Sequence, residues 1–320
     1  MSKILVSTSS FDVDHNGPLA SLREAGWQIV VNPHGRRLTE DEAIALLDGV
    51  VGMVAGTEPL TRRVLDAASA LKVISRCGIG MSNVDLDAAR ERGTDVYNTP
   101  DAPSAAVAEL TLGLMLAALR RIAEADRKIR NGKWQPLMGG LLAARTVGIV
   151  GFGRIGRKVA LLARAFGATV IAHDVQPPAT AEGVEFRGLE ELLATADIVC
   201  LHLPSGAQTR LLLNRERIAR MKKGAILVNT SRGDLVDERA LLAALQDGRL
   251  KAAALDTFDE EPYSGPLREL ENVVLTAHMG SYAEESRAIM EEEAARNLLE
   301  GLSARALTAR PIAGTSAKTR

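Results

Sequence analysis

At 320 residues, 46% hydrophobic and 25% charged, the chain has the make-up of an ordinary folded protein, long enough for two domains of roughly 150 residues each. Its formal net charge of −1 gives no electrostatic reason to expect nucleic acid or an anionic membrane as a partner. Two cysteines, Cys77 and Cys200, are too few for a disulfide framework, and no apolar run reaches membrane-spanning length. Met1 to Ser7 leads straight into a strand-like segment without a signal-peptide pattern, so a cytoplasmic protein is expected.

The first hundred residues alternate strand and helix signals. Short apolar, β-rich runs stand at Ile4–Ser7, Gln28–Asn32, Gly49–Ala55, Leu71–Ser75 and Asp95–Asn98. Helical stretches lie between them, including Leu38–Leu47, where Thr39 and Glu42 have capping-box spacing, and Thr61–Ala68. This alternation predicts a parallel, doubly wound sheet whose ligand contacts sit at the C-terminal ends of its strands. Ser104–Asn131 reads as the longest helix, ending near Gly132. Its first half, Ala105–Leu119, is apolar on nearly every face, so it needs cover beyond its own domain. A second copy of the chain or the other domain could supply that cover, and the homodimer is the expectation.

Thr146–Val159 organises the rest. An apolar run passes through Gly151, Gly153 and Gly156 into a helical pattern, Arg157–Phe166, and a second apolar run ends at Asp174. Strand, glycine turn, helix, strand and acid in that order form a dinucleotide-binding unit. Gly151 permits the tight turn, Gly153 lets backbone approach a pyrophosphate, and Gly156 allows close helix–strand packing, while free N–H groups at the helix start face the anion. Asp174 would accept hydrogen bonds from ribose hydroxyls and repel a 2′-phosphate, which favours NAD over NADP. Further strands follow at Ile198–His202, Ala225–Asn229, Ala252–Asp256 and Asn272–Thr276. A charged helix, Ala283–Gly301, comes next and is expected to return to the first domain; Ser303–Arg320 lacks periodicity and reads as disordered.

A nicotinamide enzyme acting on an alcohol needs a base for the hydroxyl proton and a cation for the substrate's charge. Of five histidines, His15 and His34 fall in surface loops and His173 points away from the cofactor. His202 and His278 each end a predicted strand; Gly280 beside His278 allows a close backbone approach. His278 is the preferred acid/base, whereas His202, in His202-Leu-Pro204, either lines the adenine side or fills the strand end. Arg232, in Asn229-Thr-Ser-Arg-Gly-Asp234, can grip a carboxylate bidentately and polarise a carbonyl, or it caps a surface turn. Glu261 could fix the imidazole tautomer, or belong to a solvated acidic loop. Spacing alone does not bring these three together. No metal is required.

Residues 50 to 300 resemble the D-2-hydroxyacid dehydrogenase family in ordered motifs: Ser75–Asp85, Asn98-Thr-Pro100, Ala108-Glu-Leu110, Gly151–Gly156, Asn229–Asp237, Leu255–Pro262 and Thr276–Ser281. The resemblance implies that Arg232, Glu261 and His278 are catalytic and that Asp256 contacts the nicotinamide amide. It adds Arg154, Ile155, Thr230 and Ser231 as cofactor contacts, alongside His202, Pro204 and Gly280. The Gly78-Ile79-Gly80 backbone would receive the substrate carboxylate. The implied fold is two Rossmann-like doubly wound α/β domains with the active site in the cleft between them. A discontinuous, flavodoxin-like substrate domain would span 1–99 and 283–302. The NAD-binding domain would span 100–282 and include a dimerisation arm at about 104–145.

Within the family the chain looks most like short phosphoglycerate dehydrogenases, through Ala55–Pro59, Asn98–Pro103, Arg130–Trp134 and Gly280–Ser286. Arg76 falls where a phosphate-binding arginine is expected. Ala55, Gln135-Pro136 and Ala277 depart from the pattern, two of them at positions where some members carry an arginine. The implied reaction is NAD-dependent oxidation of 3-phosphoglycerate or a related phospho- or phosphono-hydroxy acid. The alternatives are a reductase of a non-phosphorylated 2-keto acid such as glyoxylate or hydroxypyruvate, an NAD(H)-sensing corepressor-like binding protein, and a different Rossmann enzyme such as an amino-acid dehydrogenase.

Overall fold

Strands that are apolar on both faces have to be covered on both faces, and the chain meets that requirement twice. The computed structural model describes residues 2–8 and 11–308, which fall into two compact units, one drawn from residues up to 103 together with 284–308 and the other from 104–283.

In the first unit, strands β1 (Lys3–Val6), β2 (Gln28–Val31), β3 (Val50–Ala55), β4 (Val73–Arg76) and β5 (Asp95–Asn98) form a parallel sheet in the order β2-β1-β3-β4-β5. Between them run α1 (Gly17–Glu24), α2 (Glu40–Leu46), α3 (Arg62–Ala67) and α4 (Leu86–Glu91). Thr39 and Glu42 make the capping box at the start of α2. The period-2 alternation of each strand divides its side chains between two cores. Leu5, Met53 and Ile74 join one core with residues of α2, α3 and α4; Ile4, Val54 and Val73 join the other with α1 and the C-terminal helix.

The second unit opens with α5 (Ser104–Leu119) and α6 (Ile122–Arg130), where the sequence predicted one helix. Arg121 lies between them in the left-handed region at φ 55° and ends the α5 ladder without a glycine or proline to announce it. The seven-stranded parallel sheet comprises β6 (Thr146–Val150), β7 (Thr169–His173), β8 (Glu185–Phe186), β9 (Ile198–Leu201), β10 (Ala225–Asn229), β11 (Leu250–Leu255) and β12 (Val273–Leu275). Its order is β12-β11-β10-β9-β6-β7-β8. Helix α7 (Arg154–Ala165) begins three residues before the predicted start. Helices α8 (Leu189–Thr195), α9 (Arg215–Arg220) and α10 (Glu238–Gln246) complete the unit.

β10 is buried along its whole length, with Ile226 and Val228 in the core under α5 and α7, and Ala225 and Leu227 in the core under α8, α9 and α10. Most of α5, including Val107, Ala108, Leu114, Met115, Ala118 and Leu119, is buried, and the helix packs on α7, β10 and β11. Its own unit therefore supplies most of the cover that the sequence seemed to require from elsewhere.

After Ala283 the chain forms α11 (Glu284–Thr308), which packs on the sheet of the first unit. A side chain at Gly52 of β3 would stand 2.8 Å from Leu298 Cδ1, so the helix sits almost on backbone there. Residues 303–308, expected to be disordered, continue this helix: the run is rich in good helix formers, and its lack of an apolar stripe is no bar to helix. The remainder of that expectation, 309–320, lies outside the described residues. Among the described residues no helix is long and apolar enough to cross a membrane.

His202 follows β9, with its N–H donating to Val150 O at 2.8 Å. Both ring nitrogens are shut off from solvent and, among the described residues, have no hydrogen-bond partner. Burial disfavours the imidazolium and pushes the pKa down to about 4 from the ordinary 6.5. The unfolded chain therefore binds this proton between pH 6.5 and 4 while the native chain does not, and stability falls as pH falls through that window, by up to about 3 kcal/mol. Urea unfolding of wild type and His202→Leu at pH 7 and pH 5 checks this. Relative to wild type, the variant should gain about 2 kcal/mol on going to pH 5; a gap that does not change with pH contradicts it.

Candidate active site

The candidate site is assembled at the C-terminal edge of the seven-stranded sheet, where strand ends release backbone and polar side chains together. β6 ends at Gly151, whose φ of +96° belongs to the region where a side chain is strained. A Cβ there would also lie 2.4 Å from His202 O. A Cβ on Gly156 would lie 2.1 Å from Gly151 O, so α7 crosses the turn at a distance only glycine allows. Gly153, by contrast, has nothing within 4 Å of where its Cβ would be, and among the described residues no side chain caps the first turn of α7. Open space over uncapped amides at the positive end of a twelve-residue helix is what a pyrophosphate needs, and Arg154 and Ile155 begin that helix. Asp174 flanks the cradle. Its Oδ2 accepts from Phe152 N at 2.7 Å and its Oδ1 from Gln176 N at 2.9 Å, which ties the acid to the glycine turn and leaves lone pairs for sugar hydroxyls. His173 Nδ1 is engaged with Arg187 O at 3.1 Å.

At the end of β10 the Asn229 side chain folds the segment back on itself. Its Nδ2 donates to Arg232 O at 2.8 Å and its Oδ1 accepts from Ser231 N at 3.0 Å. Thr230 shares a 2.8 Å hydroxyl pair with Thr111 of α5, and Ser231 Oγ donates to Leu201 O at 2.6 Å. These bonds fix the backbone from which Arg232 departs. The Arg232 guanidinium donates from Nη1 to Ser231 O. Burial pulls its pKa below the ordinary arginine value, while the carboxylates of Glu261 and Asp234 oppose the shift and hold the charge.

β11 runs into Asp256, a buried carboxylate with three donors. Thr276 Oγ1 at 2.6 Å and Met279 N at 2.9 Å donate to Oδ1, and Gly280 N at 2.9 Å donates to Oδ2. All three donors belong to the segment that follows β12, so Asp256 closes the turn on which His278 sits. His278 itself takes φ +50°, a conformation uncommon outside glycine. Its Nδ1 lies 2.9 Å and 3.0 Å from the two oxygens of Glu261. Phe258 N donates to Glu261 Oε1 at 3.1 Å, and the Glu261–Pro262 peptide is cis. Glu261 thus touches His278 and acts on Arg232, and the three side chains that spacing could not bring together stand in one neighbourhood.

The predicted substrate-binding residues other than Arg232 lie in the first unit. Arg76 ends β4, and its Nη1 donates to Cys77 O with the guanidinium lying across Gly78. Gly78, at φ +139°, donates its N–H to Thr99 Oγ1 at 2.8 Å, and Asn98 Nδ2 donates to Ile79 O at 2.8 Å. The Gly78 amide is thus engaged by Thr99 within the same unit. Sequence reasoning missed the lock at Asp256 and the tether Ser205 Oγ to Asp234 Oδ2 at 2.5 Å, which joins segments 29 residues apart.

Residues 112–280 match the family model of the D-isomer specific 2-hydroxyacid dehydrogenase, NAD binding domain. A D-3-phosphoglycerate dehydrogenase of Methanocaldococcus jannaschii is 43% identical over 90% of this chain, but the chain spans only 55% of that relative's length. A hydroxypyruvate reductase of Thermotoga maritima is 42% identical over 78% of this chain and 84% of its own. A Thermus thermophilus protein with a solved crystal structure superimposes with a TM-score of 0.87 at 42% identity, covering 94% of this chain and 97% of that one. The chain belongs to the D-isomer specific 2-hydroxyacid dehydrogenase family and is an NAD-binding oxidoreductase.

Proposed function

We propose that the chain oxidises a D-2-hydroxy acid with NAD, and reduces the 2-keto acid in reverse, with 3-phosphoglycerate as the leading substrate. The carrying observation is Glu261, 2.9–3.0 Å from His278 Nδ1 and within the field of Arg232. With Nδ1 donating to Glu261, His278 keeps Nε2 for the substrate oxygen, where it takes the hydroxyl proton in oxidation and returns it in reduction. Arg232 holds the substrate carboxylate and draws electron density from the reacting carbonyl oxygen. Bound at the Gly151–Gly156 cradle with Asp174 on its ribose, NAD supplies the hydride acceptor. Arg154, Ile155, His202, Pro204, Thr230, Ser231, Asp256 and Gly280 are proposed as its further contacts. Arg76, Gly78, Ile79 and Gly80 are proposed as substrate-binding residues of the first unit, with Arg76 the cation that favours a phosphorylated substrate.

A second reading, a reductase of hydroxypyruvate or glyoxylate, is favoured by Ala55 and Gln135 standing where some phosphoglycerate-type members carry an arginine. Substrate and acid/base roles are tested together by NADH oxidation with 3-phosphohydroxypyruvate, hydroxypyruvate, glyoxylate, pyruvate and phosphonopyruvate. The phosphorylated keto acid should have the highest kcat/KM. His278→Ala should lower kcat by about 10²–10⁴-fold with NADH affinity retained, and turnover that survives the substitution removes His278 from its role.

The same proposal includes a homodimer. Ile122, Ile129, Trp134, Met138 and Leu141 are each more than half exposed within twenty residues, a concentration of apolar surface that a second copy would cover. Light scattering should give twice the 34.1 kDa chain mass, falling toward one chain in a Trp134→Glu, Met138→Glu double variant; a monomeric wild type at micromolar concentration excludes the dimer.

A further inference from the structure

The loop after β4 carries two backbone amides whose direction is set from the end of β5. The two strands are paired with Arg76 opposite Asn98, so the residues that follow them leave the sheet side by side. Thr99 N donates to Gly78 O at 3.1 Å, and Asn98 Nδ2 donates to Ile79 O at 2.8 Å. Both peptides are trans, so each N–H points away from the carbonyl of its own peptide. The N–H groups of Ile79 and Gly80 therefore face away from β5, and among the described residues neither has an acceptor. The Gly78 amide, by contrast, is spent on Thr99 Oγ1. Successive amides turned to one side and left unpaired form an anion-binding arrangement. Their two anchors differ in kind. The first peptide is held by the backbone of Thr99; the second is held by the Asn98 side chain, and the residue after it is glycine. Glycine takes φ of either sign at little cost, so this second peptide can turn over and present a carbonyl where its N–H stood. Asn98 is itself fixed, because Asn297 Nδ2 of α11 donates to Asn98 O at 3.2 Å.

We propose that Asn98 is a positioning residue that keeps the Gly80 N–H turned toward the substrate carboxylate. This rests on the reading that Ile79 and Gly80 bind substrate, and it names the side chain that makes the second amide available. A turned peptide does more harm than a missing bond, because its carbonyl oxygen repels the carboxylate. Keto acid and hydroxy acid carry the same carboxylate, so an amide that binds it does so equally along the reaction. Its loss is read in KM and leaves kcat close to the wild-type value.

The test uses the full chain with NADH and oxalate, a dicarboxylate that cannot be reduced. Asn98→Ala and Asn98→Leu, which remove the donor without adding charge, should each weaken oxalate by about ten- to thirtyfold. The KM for the keto acid should rise by a similar factor, with kcat, NADH affinity and Tm near their wild-type values. In wild type carrying nitrogen-labelled glycine and isoleucine, the amide protons of Gly80 and Ile79 should move downfield when oxalate is added to the NADH complex. If those amides shift but both variants bind oxalate as tightly as wild type, the inference is overturned and the substrate reading of the loop stands. If oxalate binds and neither amide shifts, that reading falls and the inference with it. A loss of NADH affinity or kcat as large as the loss of oxalate affinity makes Asn98 a structural residue only, and also overturns the inference.

Discussion

The candidate site depends on one carboxylate that is proposed to touch the cofactor but whose visible bonds are all to protein. Asp256 collects a hydroxyl and two backbone amides from the segment after β12. Hydrogen bonds to a charged acceptor are worth about 1.5–3 kcal/mol each, so three of them outweigh the cost of about 1–3 kcal/mol for holding a residue such as His278 at positive φ. Without that anchor the imidazole would relax to ordinary backbone geometry and leave Glu261. The parallel sheet makes the anchor possible because β11 and β12 end side by side, bringing an acid from one strand against the exit of the next.

Around this anchor the charges are arranged by burial. Arg232 is desolvated, which taken alone disfavours its charge, and two carboxylates later in the chain, Glu261 and Asp234, offset the loss. Both Glu261 oxygens lie against His278 Nδ1 and Oε1 also accepts from the amide of Phe258, so the loop conformation and the imidazole orientation are set by the same group. The glycine cradle follows a complementary logic. Its central glycine, Gly153, faces open space and supplies no side-chain cap to α7, so a bound anion or solvent can reach the start of that helix.

Much of this is legible in the residues. The βα alternation, both parallel sheets and the glycine turn follow from short apolar runs punctuated by glycine, because periodicity and turn chemistry are local. Arg232, Glu261 and His278 are legible only through resemblance, since their convergence depends on strand order, which no local pattern encodes. The break at Arg121 is invisible because nothing in Leu119-Arg-Arg-Ile122 disfavours helix; the left-handed residue there is set by tertiary packing, with Gly140 N returning to Leu119 O at 3.1 Å. Residues 303–308 read as disordered because a run without an apolar stripe gives no periodic signal, although its residues favour helix. The bond from Thr99 to Gly78 and the lock at Asp256 are side-chain-to-backbone contacts, and a single sequence carries no signal for them.

The most direct measurement is a crystal structure of the protein with NADH and oxalate. The account predicts an oxalate carboxylate paired with the Arg232 fork, one further oxalate oxygen within hydrogen-bonding distance of His278 Nε2, and the Asp256 bonds to Thr276, Met279 and Gly280 retained. Oxalate seated away from Arg232, or an imidazole turned away from Glu261 in the loaded protein, would contradict it.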